Sequence, residues 1–502
     1  SSMLSTAQKS SGTSSSSQTQ SELLVESYKQ SQQTKVTALE TKISNYETKQ
    51  TFFNTLNSKI SALESCIDTF TASNAESKFI TRSVTSSDTS VMTASADSDA
   101  IPGISIVKVN RMATNDVLIG SKLNRTDLFG FTGTMTLNMN ANSTTDTDTD
   151  DDNVEPVTIT FDNANMTNEE ALKKISSAIN ERTDLGFKAS YIKDSNTTGR
   201  LTFASEETGS DYALKIGSIS GATDEVLTKL GLNASRSATD ADAAHYKHSS
   251  AASLDCEVEV NGVTCTRNSN DVEDIIPGVT LNLVKTDDTE IVIKTSVNSS
   301  AVESLINPIL TAYNDLLSYL QGERIANKDE SSVSSLLNNL RGISTRKMSD
   351  QGTTSDPRYL TDIGIKIGSD GQLKIGDSTK LSDILKKDGG AQKVAALFIG
   401  KKDKTDTTKS YGLAARLSET IQTMTGYTDD NGNAISGIIK NRTLALSKQK
   451  TQTETKKEEL EARIDKQAET LRKQYESTLS LYLEAQSQST LFSSLSSGSY
   501  WY

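Results

Sequence analysis

Hydrophobic residues recur at helical spacing in two stretches at opposite ends of the chain. In the last long segment, residues 435–495, they are separated by three, four or seven positions: Leu460, Ile464, Leu471, Tyr475, Leu479 and Tyr482. No Pro or Gly interrupts residues 441–497, and Glu469 precedes Lys473 by the four positions that favour an ion pair within a helix. The pattern predicts one exposed, charged helix of roughly 90 Å.

A matching stripe lies near the start of the chain. Its members step by three and four residues: Val36, Leu39, Ile43, Tyr46, Gln50, Phe53, Leu56, Ile60, Leu63, Ile67 and Phe70. Only the three-residue step from Phe53 to Leu56 breaks the phase, as a stammer does in a coiled coil. Two such helices favour a stalk in which the chain runs out and returns. Two unrelated coiled coils are the alternative.

Between these helices the pattern changes to strands. From about Thr81 the sequence alternates polar and apolar residues in short runs, among them GTMTLNM, PVTITF, FKASYI and RLTFAS. Thr167 and Glu170 form a capping-box signature ahead of one helix within these strands. The predicted fold class is therefore α+β multidomain, with a long helical coiled-coil stalk built from both termini and inserted β-rich head domains.

Charge and hydropathy exclude several classes of partner. The formal net charge is -13, which disfavours nucleic acid. No run of eighteen apolar residues is present, so we expect no membrane insertion. The Ser-rich opening, residues 1–20, has almost nothing to bury and is expected to be disordered in the isolated protein. It also lacks the features of a cleaved signal peptide.

The residue types that carry catalysis or bind metals are sparse. The two histidines, His245 and His248, lie in a Ser- and Ala-rich connection that is more typical of a solvated linker. The acidic run at 144–152 lacks the Gly and Glu that a calcium loop needs. Cys256 and Cys265 flank an Asn-Gly turn in a register that favours free thiols. We expect no enzyme activity, no catalytic residues, no metal site and no cofactor.

Five ordered motifs carry a resemblance to a known family. They are SSDTSVMTASADSDAIPGISIVKVNRMA (86–113), NGVTCTRNSNDVEDIIPGVTLNLVK (261–285), AYNDLL (312–317), LTDIGIKIGSDGQLKI (360–375) and LEARIDKQAETLRKQYESTLSLYLEAQSQSTLF (460–492). Together they make the chain similar to the FliD family, the bacterial flagellar filament caps also called hook-associated proteins of type 2.

The resemblance implies a non-enzymatic cap that forms a ring at the growing distal tip and promotes folding and insertion of exported flagellin. The implied location is extracellular, at the tip of the flagellum. The implied partners are other copies of the chain in a homo-oligomeric ring (a pentamer is expected, although the sequence does not fix the number), flagellin, the hook-filament junction protein, an export chaperone and the type III export apparatus. The alternatives are another axial protein, either a junction protein or a flagellin, and a tip adhesin.

A domain division follows from the pattern and the resemblance. Residues 1–45 and 465–502 form a terminal leg, largely disordered or helical until assembled, and residues 46–80 and 300–464 form a helical stalk domain. Residues 81–113 and 240–299 form a β-rich head, into which an α+β domain, residues 114–239, is inserted. The leg stripes are expected to bind partners through Val36, Leu39, Ile43, Tyr46, Phe53, Leu460, Ile464, Leu471, Tyr475, Leu479, Tyr482 and Phe492.

Overall fold

The computed structural model describes residues 14–143, 154–349, 353, 355–400, 411–429 and 431–497. The chain divides into two compact units. The first combines Ser1–Glu76 with Glu303–Tyr502, and the second is Ser77–Val302. Helices and several sheets are both present, which confirms the predicted α+β multidomain class. The finer division into four domains stays a prediction.

The two longest helices are formed by the terminal segments, as the hydrophobic stripes predicted. In chain order the helices are α1 (Ser14–Thr71), α2 (Asn168–Asn180), α3 (Asp224–Leu230), α4 (Ser299–Glu323), α5 (Ser331–Ile343), α6 (Ser378–Leu385), α7 (Gly390–Ala395), α8 (Leu413–Thr425) and α9 (Ile438–Ser497). The prediction of disorder for residues 1–20 is wrong for residues 14–20, because α1 already includes them. Residues 1–13 lie outside the described part of the chain.

The strands of the second unit cover most of residues 82–297. They are β1 (Arg82–Ser86), β2 (Met92–Ala96), β3 (Gly103–Arg111), β4 (Asn115–Ile119), β5 (Leu123–Asn124), β6 (Gly133–Asn140), β7 (Val157–Phe161), β8 (Phe187–Ile192), β9 (Thr198–Thr208), β10 (Lys215–Ser220), β11 (His245–Tyr246), β12 (Cys256–Val260), β13 (Val263–Arg267), β14 (Asp271–Ile276), β15 (Val279–Leu283) and β16 (Asp287–Val297). The first unit adds two hairpins, β17 (Ile365–Ile367) with β18 (Leu373–Ile375), and β19 (Gly426–Thr428) with β20 (Ala434–Ser436).

Two hydrophobic cores lie in the second unit. One core packs the sheet β1-β16-β3-β12-β13 with the sheet β14-β15-β2, through alternate residues such as Val107, Val258 and Leu281. The other core packs α2 with the sheets β10-β6-β7 and β11-β4-β9-β5, in which β8 also pairs with β9. Period-two alternation along strands such as β7, β12 and β15 explains which face of each is buried.

Two local predictions for this unit are confirmed. Helix α2 begins with the capping box: the Thr167 hydroxyl accepts a hydrogen bond from the Glu170 amide at 3.3 Å, and the Thr167 amide donates to the Glu170 carboxylate at 2.9 Å. The β12–β13 hairpin turns at Asn261 (φ 50°) and Gly262 (φ 84°) and pairs Val258 with Cys265. All three cysteines are free.

The first unit has its core where α1 meets the other helices. Seven α1 side chains are almost completely buried: Phe52, Phe53, Leu56, Ile60, Leu63, Ile67 and Phe70. Phe52 stacks on Tyr319 of α4, and Phe70 packs against Phe398. Residues on both sides of the predicted stammer therefore face the same core.

Candidate functional site

The candidate site is the pair of helices α1 and α9, because the residues predicted to bind partners lie on the apolar stripes of these two helices. The two helices run antiparallel. Five cross-helix contacts fix their register: Tyr475 to Gln20 (2.8 Å), Tyr28 to Gln467, Lys29 to Asp465 (2.6 Å), Lys457 to Glu40 (2.9 Å) and Lys450 to Glu47 (2.8 Å). The residue numbers in each pair add up to between 494 and 497. An α1 residue i therefore faces α9 near position 496 minus i.

The predicted stripe residues differ in how much of their surface remains accessible. Val36, Phe53 and Ile464 are buried. Seven others are half-buried: Leu39, Ile43, Tyr46, Leu460, Leu471, Tyr475 and Leu479. Tyr482 is 45% exposed and Phe492 is 78% exposed. The inner part of both stripes is therefore covered within the chain, and accessibility increases toward the end of α9.

We call the interface between α1 and α9 the seam. Its middle part is polar on the α9 side. Between Leu446 and Leu460, the α9 positions that face α1 are Lys450, Thr453 and Lys457. By the register they lie opposite Tyr46, Ile43 and Leu39. Lys450 donates a hydrogen bond to the Glu47 carboxylate and Lys457 donates one to the Glu40 carboxylate, and these bonds raise the pKa of each lysine. Here apolar α1 side chains lie opposite the aliphatic parts of the two lysines, and the ammonium groups of the lysines reach the carboxylates of Glu47 and Glu40 at the edge of the interface.

Reversing the two lysine charges tests this part of the seam. In the variant Lys450→Glu with Lys457→Glu, like charges face Glu47 and Glu40, so amide hydrogen exchange in residues 36–50 is expected to be roughly tenfold faster. Adding Glu40→Lys and Glu47→Lys should restore most of the protection. If the double variant exchanges at the wild-type rate, these ion pairs do not hold the helices together.

The last turns of α9 extend past the first residue of α1. By extrapolation of this register, the position of Ser14 corresponds to α9 near Tyr482, so residues 483–497 reach about 22 Å further. Within the part of the chain that the structure describes, no helix covers this extension. Its large apolar side chains are exposed: Leu483 (53%), Leu491 (60%), Phe492 (78%) and Leu495 (72%).

A second, mostly apolar stripe begins two residues before this extension. Its members follow alternating steps of four and three residues: Leu481, Ala485, Gln488, Phe492 and Leu495. We call this set the terminal stripe. At 100° per residue it lies about 115° around the helix from the seam defined by Leu471, Tyr475, Leu479 and Tyr482. Phe492 therefore does not continue the seam, although it is one of the predicted leg-stripe residues.

Residue types suited to catalysis or metal binding are dispersed. Among the described residues, no group of three or more His, Cys, Asp or Glu could hold a metal ion. His245 contacts the Ala243 carbonyl at 2.9 Å, and His248 lies 3.3 Å from the Thr114 hydroxyl. Burial and the nearby Lys247 lower the pKa of His248. The acidic run at 144–152 lies outside the described residues.

A helix that spans a membrane needs about 20 consecutive, mostly apolar residues. Within residues 14–497, apart from the gaps given above, no helix combines the length and the apolar character that a membrane span needs.

Comparison with known proteins supports the resemblance at both ends of the chain. The model of the flagellar hook-associated protein 2 N-terminus matches residues 17–116, and the model of its C-terminus matches residues 253–483. Together these ranges cover more than half of the 502 residues.

Individual relatives align over most of their length. The B-type flagellar hook-associated protein 2 of Pseudomonas aeruginosa is 25% identical over 439 residues, which is 83% of each chain. The flagellar hook-associated protein 2 of Escherichia coli K12 is 28% identical over 424 residues, 81% of this chain and 82% of that protein. The crystal structure of the D1-D2-D3 domains of the flagellar cap protein FliD from Escherichia coli has a TM-score of 0.53 at 22% identity, and covers 79% of this chain and 99% of that one.

The structural similarity supports a common fold, and the two family models cover both terminal regions. The family predicted from the five motifs is confirmed: this chain belongs to the FliD family, the flagellar hook-associated proteins of type 2.

Proposed function

We propose that this chain caps the growing bacterial flagellar filament, where a ring of identical copies promotes folding and insertion of exported flagellin. The match of both family models, to the N-terminal and to the C-terminal region, carries this proposal. The role needs binding surfaces rather than bond chemistry, so the chain acts without catalytic residues or a cofactor.

The terminal leg, residues 1–45 and 465–502, contacts the filament in this proposal. The inner stripe residues Val36 and Ile464 close the α1–α9 pair within the chain, since each is less than a tenth exposed. The half-buried seam residues toward Tyr482, and the terminal stripe beyond it, supply the apolar surface for neighbouring subunits. A helix face that gains its partner only on assembly gives contacts weak enough to release as the filament grows.

The proposal also assigns a role to each of the other partners. The β-rich heads, residues 81–113 with 240–299 and the inserted 114–239, contact the heads of neighbouring copies in the ring. The legs contact flagellin or, before the first flagellin is added, the hook-filament junction protein. An export chaperone and the type III apparatus deliver the chain to the outside of the cell at the flagellar tip.

A complementation experiment tests the proposal. The wild-type chain is expressed in its own bacterium after deletion of the endogenous copy, and motility and released flagellin monomer are measured. We expect restored swimming, little monomer in the medium, and closed rings or ring stacks of the purified protein in electron micrographs. Free flagellin at the level of the deletion strain would refute the cap function.

The shape of the assemblies separates this function from that of a filament subunit. Closed rings are expected of a cap, whereas open helical polymers are expected of a flagellin or junction protein.

A further inference from the structure

The β17–β18 hairpin has a free edge that faces a groove. The Gly368 amide donates to the Gln372 carbonyl at 2.8 Å, and the Gly376 amide donates to the Gly364 carbonyl at 3.0 Å. In an antiparallel pair, hydrogen-bonded and non-bonded residue pairs alternate. The pairs Ile367 with Leu373 and Ile365 with Ile375 are therefore non-bonded, and the amides and carbonyls of Leu373 and Ile375 point away from β17.

A side chain of α4 already pairs with one of these two residues. The Asn314 carboxamide donates to the Leu373 carbonyl at 2.7 Å and accepts from the Leu373 amide at 2.8 Å. It thus makes both hydrogen bonds that a neighbouring strand would make at this position. Ile375 lies two residues further along β18. No described residue makes the corresponding pair of hydrogen bonds with its outward amide and carbonyl.

The space beside Ile375 is a groove of about 670 Å³. One wall is α4, with Glu303, Asn307 and Thr311, and the other is the chain from Leu373 to Thr379. Asn314 closes one end, so an additional extended segment would begin next to its carboxamide. The lining is mostly polar, which suits a peptide backbone better than an apolar ligand.

Charge indicates what side chain the segment would carry. Glu303 and Asp377 line the groove, as does Lys374. The Asp377 carboxylate accepts one hydrogen bond, from the Thr379 amide at 3.2 Å, and retains capacity for another donor. Two carboxylates against one ammonium group favour a lysine or arginine in the bound segment.

We propose that this groove binds a short extended segment of an exported flagellin, which adds one strand to the edge of β18 at Ile375 and places a basic side chain near Glu303 and Asp377. The choice of flagellin as the occupant rests on the proposed cap function. With only one residue offering a free backbone donor and acceptor, the contact is weak and transient, with a Kd on the order of 0.1 mM. Such a site holds an unfolded subunit briefly and releases it.

The test uses the full chain and two sets of labelled peptides of about twelve residues, one that tiles the flagellin of the same bacterium and one that tiles this chain itself. We expect a small set of basic peptides to bind. Ile375→Pro removes only the outward amide, a change that edge strands tolerate, and should weaken binding at least about tenfold. The matched control Ile375→Val keeps the amide and should change Kd by less than about twofold. Thr311→Trp fills the groove and leaves β18 intact, and it should also abolish binding. This variant provides the test if the proline variant misfolds.

The outcomes separate this site from the cap function. If the chain restores capping in the complemented strain but no flagellin peptide binds, or if Ile375→Pro binds like Ile375→Val, the groove proposal is wrong and the cap function stands. Binding only of peptides from this chain itself would replace flagellin by a second copy and refute the proposed occupant. Failure to restore capping refutes the cap function, while the Ile375 comparison still decides whether the groove binds an extended chain.

Discussion

Replacing Phe492 and Leu495 by aspartate is expected to abolish filament capping while the chain remains folded. Both side chains are more than 70% exposed, so the isolated protein loses little packing. The proposed leg contact buries both of them on assembly, and each buried side chain of this size contributes about 1.5–3 kcal/mol. Losing two weakens the leg contact by at least about a hundredfold. Aspartate adds the cost of burying a charge.

Released flagellin monomer in the complemented strain measures this effect, with circular dichroism and thermal unfolding as checks on the fold. The matched control is Thr490→Asp with Ser494→Asp, which adds the same two charges in the same turns on the opposite side of α9. We expect the control to cap normally. Equal loss in both variants would attribute the effect to charge rather than to the terminal stripe, and normal capping by Phe492→Asp with Leu495→Asp would exclude this stripe from the contact.

The terminal helices could be predicted because periodicity is a local signal. Stripes with steps of three and four identify α1 and α9 without any knowledge of the fold. The same holds for the Thr167–Glu170 capping box and the Asn261-Gly262 hairpin, whose residues lie within a few positions of each other. In each of these cases a single segment contains the whole signal.

The two faces of α9 were harder to separate. Leu481, Ala485, Gln488, Phe492 and Leu495 have the heptad spacing, but the stripe overlaps the last residues of the seam, and Gln488 weakens its hydrophobic signal. Only the angle of about 115° around the helix axis, at 100° per residue, separates the two stripes. Which of them is covered depends on the antiparallel register with α1, and that register is fixed by pairs more than four hundred residues apart.

Contacts between residues that are far apart in the sequence, and that belong to no local motif, produce no pattern from which they could be predicted. The Asn314 carboxamide that pairs with Leu373 is one such contact, and it determines where the β18 groove begins. The ion pair of Asp116 with Arg236 is another, joining β4 to a loop 120 residues later. A lone Asp in a strand of alternating polarity predicts a solvated side chain, whereas Asp116 is completely buried.

The burial of Asp116 implies a large cost when it is removed. Its carboxylate accepts hydrogen bonds from the Leu214 amide at 2.9 Å and from both terminal nitrogens of Arg236, one of them at 3.0 Å. Arg236 also lies over the Tyr246 ring, 4.1 Å from its centroid. Asp116→Ala leaves a largely buried guanidinium and a backbone amide without their acceptor, so we expect a loss of about 3 kcal/mol in the free energy of unfolding. Hydrogen exchange of β4 and β9 amides measures it.

An exposed ion pair in the same unit supplies the comparison. Asp242 pairs with Lys122 at 3.1 Å, but its side chain is 73% exposed, so solvent screens the pair and Asp242→Ala should cost less than about 1 kcal/mol. Asp116→Asn, which keeps an oxygen acceptor for the Leu214 amide and for one Arg236 nitrogen, should fall between the two. If Asp116→Ala and Asp242→Ala changed exchange equally, the buried carboxylate would not be what holds β4 to the Arg236 loop. Because Asp116 lies in β4 and Arg236 in the loop before β11, the loosening should appear first in β4 rather than in the sheet β14-β15-β2.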